Sequence, residues 1–251
     1  MERPFAIYHH PDGVVGSNEP PIGRRMAGFG LLEGIAKFTQ QNTLHAFTSR
    51  SEHANHFDAL MNDLGWRGDI SHVDPTDRDL KNQIGTLMLP GPSLAQFAQD
   101  RSKAAIGNYA LCGVTHTIAT SDMAVDLLKL LSAPLLPGDA ISCPSKAVRD
   151  VVKAHFDFAS EHGWVTRDKT PDLPVIPLGI NCNVFAPKPE MRQDWRARLG
   201  LDAEDVAVLP VARLSVFEMM HPAPLFAALQ HAHLQTSARL HLILCGWFPD
   251  E

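Results

Sequence analysis

Short apolar runs recur along the chain at intervals that leave room for a helix between them, and glycine or proline bounds most of them. Phe5–Tyr8, Leu44–Thr48, Gly85–Leu89, Asn108–Cys112 and Ala140–Cys143 read as strands. The turn Pro90-Gly91-Pro92 precedes a helix expected over Ser93–Arg101. Ser145 stands where an N-cap belongs, just before KAVRDVVKAHF, in which Val148, Val151, Val152 and His155 are expected to share one face. Val175–Pro177 closes this first series. Strands alternating with helices predict an α/β architecture, a largely parallel sheet covered by helices.

A second series follows a proline-containing connector. It comprises a polar helix over Glu190–Leu199 stopped by Gly200, a strand over Val206–Ala212, a helix over Pro222–Gln235 and a strand over Leu240–Cys245. One βαβ unit cannot cover both faces of a sheet, so this second domain is expected to be incomplete. The pattern divides the chain into residues 1–180, a connector over 181–204 and a partial domain over 205–251.

Composition narrows the partners. The net charge of −6 argues against a broad nucleic-acid surface, though a local basic site for a phosphate is compatible with it. No apolar run is long enough to span a membrane, and MERPFAIYHHPDG has neither the charge nor the apolar stretch of a secretory leader, so a cytoplasmic chain is expected. Cys112, Cys143, Cys182 and Cys245 form no CxxC pair and read as reduced thiols.

Several constellations bear on chemistry. Between Asp12 and Phe38, a loop with Gly13, Gly16 and Gly23 leads into a helix whose start carries Arg24 and Arg25; free N–H groups there favour an anionic or polar ligand, and the alternative is an ordinary surface loop. Gly28, Gly30 and Gly34 miss the dinucleotide GxGxxG spacing by one residue, which argues against a nicotinamide cofactor. His116 follows a strand, where it can reach a substrate hydroxyl, or it is a structural histidine bonded to Thr115 or Thr117. Asp122 and Asp126 stand one helical turn apart, a spacing that also marks the first turn and solvated face of a helix. The pairs His9-His10, His53 with His56, and His231 with His233 lack a convincing third metal ligand, so no metal is expected.

The order of these features carries a resemblance. The loop ending PIGRRMAGFG, then CGVTHT, DAISCPSKAVRDVV, VIPLGINCNVF, WRARLGL and VARLSVFEMMHPAPLFAAL together resemble glycosyltransferases of family 4, also labelled group 1. The resemblance implies the GT-B fold of two facing Rossmann-like domains, a Rossmann-like N-terminal domain followed here by the first βαβ unit of the C-terminal one. It further implies retaining transfer of a sugar from a UDP-, GDP- or ADP-sugar to an acceptor hydroxyl, with no obligatory metal. By the same resemblance His116 faces the donor sugar and Arg213 clamps the donor diphosphate. Gly23 and Arg24 lie against donor phosphate or acceptor, in a cleft loop that also holds Gly16 and Asn18.

Two departures qualify the match. Met219 stands where a lysine would complete the cationic pair with Arg213, and the family's later pair of glutamates has no counterpart before Glu251. A rival expectation is therefore a truncated glycosyltransferase-like chain without catalysis, serving as a binding or interaction module and self-associating through its incomplete second domain. A third is an unrelated α/β enzyme using His116 with Asp122 as base and orienter.

Overall fold

A computed structural model describes residues 4–14, 22–73, 84–103, 109–116, 118, 120–165, 169–215 and 221–247. The chain divides into two units, Met1–Ile180 and Asn181–Glu251. In the first, the strands are β1 (Phe5–Tyr8), β2 (Thr43–Phe47), β3 (Asp69–Val73), β4 (Thr86–Met88), β5 (Ala110–Val114) and β6 (Ala140–Ser142). The helices are α1 (Gly23–Phe38), α2 (Ser51–Asp63), α3 (Ala95–Lys103), α4 (Ser121–Leu130) and α5 (Lys146–Glu161). The six strands pair in the order β3-β2-β1-β4-β5-β6, all neighbours parallel. This is an α/β Rossmann-like fold, and chain direction across the sheet reverses between β1 and β4.

Both faces of the sheet are covered, which is why its central strands read as continuous apolar runs. On one side Ile7, Leu44 and Ala46 pack against Leu32 of α1 and Phe57 and Met61 of α2. On the other, Ala6, Leu87, Leu111 and Ile141 meet side chains from α3, α4 and α5. Successive residues of β1, Ala6 and Ile7, thus enter opposite clusters, as a period of two requires.

The element boundaries differ from the sequence pattern for local reasons. In α5 the buried positions are Val152, Phe156 and Ala159, with Val148 half-buried, while Val151 points outward at 37% exposure. The face therefore runs 148, 152, 156, 159 rather than through Val151, although Ser145 caps the helix by accepting the Val148 amide. The expected strand at Val175–Pro177 is instead a segment making parallel bridges to β6 through Asp172 and Val175. Pro171, Pro174 and Pro177 remove the donors that a full ladder needs, which confines the segment to an edge role. The sequence pattern passes over β3, whose DISHV composition suits an edge position, and α2, whose buried face includes His53.

Beneath the amino ends of β5 and β6 lies a buried ion pair. Arg101 donates to both Asp139 carboxylate oxygens at 2.8 and 2.7 Å, and Asp139 also accepts the Leu111 and Leu136 amides. Arg101 further donates to the carbonyls of Tyr109 and Pro134. Bidentate geometry and several added hydrogen bonds are what make a desolvated pair tolerable.

The second unit contains α6 (Pro189–Arg198), β7 (Val206–Val208), α7 (Pro222–His233) and β8 (Leu240–Leu242). Strands β7 and β8 pair in parallel, with one further bridge between Val211 and Cys245, so the expected long strands are each interrupted. Gly200 takes φ 65° just past α6, the left-handed position that stops a helix there. Asp205 accepts from Arg239 and from His241 at 3.0 Å, tying the start of β7 to β8. No described apolar residue of this unit is buried, while the Asp205 carboxylate is covered by its partners.

Candidate functional site

The parallel order places the carboxyl ends of β1, β4 and β5 at one edge of the first unit, where the β1/β4 reversal opens a crevice. A cavity of about 80 Å³ occupies it. Its walls come from the residues after β1, from α1, and from the ends of β4 and β5, with Leu178 at the side. Close approach of α1 to the His10–Val14 turn shapes the floor. A Cβ at Gly28 would stand 2.1 Å from the Gly13 carbonyl oxygen, so only glycine permits this contact. Gly28 serves packing, a role separate from any dinucleotide motif.

His116 lies in the cavity wall, half-buried. Its Nε2–H donates to the Pro90 carbonyl at 2.7 Å, which leaves the lone pair on Nδ1. The structural partner expected at Thr115 is not the one found, because the Thr115 hydroxyl donates to the Ser142 carbonyl instead; Thr117 is outside the described residues. Burial lowers the pKa of His116 from its ordinary value; the Pro90 bond opposes that shift and the charge of Arg24 adds to it. The imidazole is thereby held neutral with one accepting nitrogen. Arg24 is exposed in the first turn of α1, and Gly23 is that helix's first residue. Ile22, the N-cap, supplies no side-chain hydrogen bond. His116 and Arg24 are thus close enough for the charge of one to act on the other. Gly16, Asn18 and Met219 lie outside the described residues.

Asp122 is exposed in the first turn of α4. Asp126 accepts from the Ser93 hydroxyl at 2.6 Å and from Lys129 at 2.9 Å, which lowers its pKa. Both acids read as helix-surface groups rather than a catalytic pair.

Four histidines that the sequence presents as two separate pairs come together beside the cavity. His9 Nε2 and His56 Nδ1 share a hydrogen bond at 2.9 Å and the two rings stack, while the rings of His10 and His53 meet edge-on at 4.5 Å. The spacing of His53 and His56, facing the His9-His10 pair after the neighbouring strand, was the available signal. Among the described residues no three His, Cys, Asp or Glu side chains form a group able to hold a metal ion. Burial holds the thiols of Cys112 and Cys143 above their usual pKa, which suits inert thiols. No described helix is long and apolar enough to cross a membrane.

Arg213 belongs to the second unit. It follows the Val211–Cys245 bridge at the carboxyl end of the β7 line, half-buried, with its guanidinium over the Trp247 ring at 5.3 Å. That end of a parallel pair is where ligands collect in open sheets.

No protein-family model and no curated protein matches the sequence. Among solved structures the chain is similar to Anabaena Alr3699/HepE in complex with UDP, at 14% identity and a TM-score of 0.61 over 99% of this chain and 62% of that one. The same protein in complex with UDP-glucose matches at 13% identity and a TM-score of 0.55, over 97% of this chain and 60% of that one. Its complex with UDP and glucose matches at 11% identity and a TM-score of 0.53, over 97% and 70% respectively. At these identities the likeness is one of fold, and the chain spans 62% of the length of the first of these neighbours.

Proposed function

We propose that the chain is a GT-B glycosyltransferase that moves a sugar from a nucleotide-sugar donor to an acceptor hydroxyl. The observation that supports this reading most is the fold likeness, over 99% of the chain, to a protein seen with UDP and with UDP-glucose. In this reading residues 1–180 serve the acceptor side, 181–204 connect, and 205–251 contribute to the donor-nucleotide side. A UDP-sugar is the first candidate donor, ahead of GDP- or ADP-sugars.

The residues then take the following roles. His116, with only Nδ1 open, faces the donor sugar at the point where the acceptor hydroxyl meets it. Gly23 and Arg24, at a helix start without a side-chain cap, approach donor phosphate or acceptor, with Gly16 and Asn18 in the loop before them. As the bond from the sugar to the diphosphate breaks and the bond to the acceptor oxygen forms, negative charge grows on the diphosphate, whose departing oxygen takes the acceptor's proton, and the Arg213 guanidinium stabilises that charge without a metal. Transfer proceeds with retention of configuration. Met219 in place of a second cation makes Arg213 the main positive charge set against it.

The test is nucleotide release from a panel of UDP-, GDP- and ADP-sugars, paired with donor titration. Arg213→Ala should raise the donor Kd about ten- to a hundredfold, the range expected for a charge-assisted contact. No release from any donor, with binding unchanged in Arg213→Ala, would sink the reading.

One observation favours a second reading, a glycosyltransferase-like binding module that self-associates: the second unit buries none of its described apolar residues, and Val211 and Leu234 stand 71% and 78% exposed. Light scattering that shows concentration-dependent association, together with no nucleotide release, would select it.

A further inference from the structure

We propose that the cavity between the ends of β1, β4 and β5 takes an apolar, ring-sized group bearing a single hydroxyl, such as a phenol, and not a sugar ring. The hydroxyl's role as acceptor rests on the transferase reading above; the chemistry of the cavity rests on its own walls. Among the described residues lining it none is a carboxylate, amide, lysine or arginine. Sugars are held by just those groups, because each ring hydroxyl brought out of water needs a partner, and each left unpaired weakens binding about tenfold or more.

The polar side chains that are present are three imidazoles and one phenol, and the imidazoles are each partly engaged. His9 is bonded to His56, His10 Nδ1 accepts the Asp12 amide, and His116 has given its N–H to Pro90. The ring of Tyr8 packs on Phe47 and Phe97. What remains at His116 is one lone pair, on Nδ1, sufficient for one hydroxyl. The rest of the wall is aliphatic: Val14, Leu32, Met88 and Leu89 within, with Leu31 and Leu178 at 37% and 54% exposure as the side chains solvent reaches. Exposed leucines continuous with an apolar recess are what an apolar ligand covers on binding. A cavity of about 80 Å³ exceeds the space one water needs several-fold, and because its wall opens at Leu31 and Leu178 it takes one ring whose outer edge lies against those leucines.

The experiment titrates the full chain with p-cresol, a one-ring phenol, and separately with glucose, and follows these and UDP binding by calorimetry on the same preparation. Saturable phenol binding at least tenfold tighter than that of glucose is expected. Ala27→Phe, which fills the recess, should weaken phenol binding at least tenfold. Met88→Gln keeps the side-chain volume while placing an amide in the wall; it should lower phenol affinity severalfold with an unchanged melting curve, which separates loss of the site from loss of the fold. Glucose binding as tightly as the phenol, a folded chain that binds no phenol, or a phenol affinity indifferent to Met88→Gln would each overturn the assignment. Phenol binding without UDP binding would leave the cavity's chemistry standing while removing support for the transferase reading; UDP binding without phenol binding would do the reverse.

Discussion

His9 shows how a single residue ties packing to pH. It is 3% exposed, shares a hydrogen bond with His56, and meets Phe57 edge-on. Burial, then the neighbouring His56, His53 and His10, lower its pKa to about 4. The unfolded chain, with an ordinary histidine near 6.5, takes up this proton first as pH falls. Stability from this residue is therefore complete above about pH 6.5 and is lost progressively down to about 4, by about 3 kcal/mol. Urea unfolding across that window should show the loss in the native chain and a markedly flatter profile in His9→Gln. Parallel profiles would show that His9 does not titrate in this way. At the same scale, the Arg101–Asp139 pair stands at the opposite end of the strands from the cavity, which marks it as a fastener of the sheet rather than part of the chemistry.

At the scale of elements, α1 carries three interior glycines that are not equivalent. Gly28 presses on the Gly13 carbonyl, whereas a Cβ at Gly30 or Gly34 meets nothing within 4 Å. Alanine is worth about 1 kcal/mol over glycine inside a helix. Gly30→Ala should therefore stabilise the protein by up to about 1 kcal/mol. Gly28→Ala gains the same propensity but must displace a backbone oxygen, which no rotamer change relieves, and should destabilise by about 1–3 kcal/mol. Denaturant midpoints for the two variants should move in opposite directions; a shift of the same sign would mean that α1 does not rest on the turn as described.

At the scale of the whole molecule, the two units differ in what holds them. The first has two buried clusters on opposite faces of a six-stranded sheet, with α5 against α4 closing one side. Among its described residues the second has two short strands, two helices and ion pairs around Asp205, without a buried apolar residue. Apolar burial is the main favourable term in folding, so the second unit should open locally at far lower free energy. Hydrogen exchange followed by mass spectrometry should find amides of β7, α7 and β8 exchanging well ahead of β1, β4 and β5. Equal protection in both units would indicate that the second is covered by a partner, as the self-associating reading requires.

Sequence determined the architecture because it rests on local and periodic signals. Apolar runs of strand length separated by helical stretches suffice for an α/β sheet, Ser145 is legible as a cap from its neighbours alone, and Gly200 as a stop from what precedes it. Elements whose stability comes from position rather than composition were not legible: β3 is a polar strand at an edge, and the segment at 172–175 is a bridged edge because three prolines deny it a ladder. At the site, the sequence could place His116 after a strand but not choose its partner. Only folding brings the Pro90 carbonyl, 26 positions earlier, within 2.7 Å and so fixes which nitrogen keeps the lone pair. The same holds for His9 with His56, separated by 47 positions. A contact across the sheet depends on strand order and register, and these are decided by which apolar faces can be buried together, a property of the assembled layers that no local window of sequence contains.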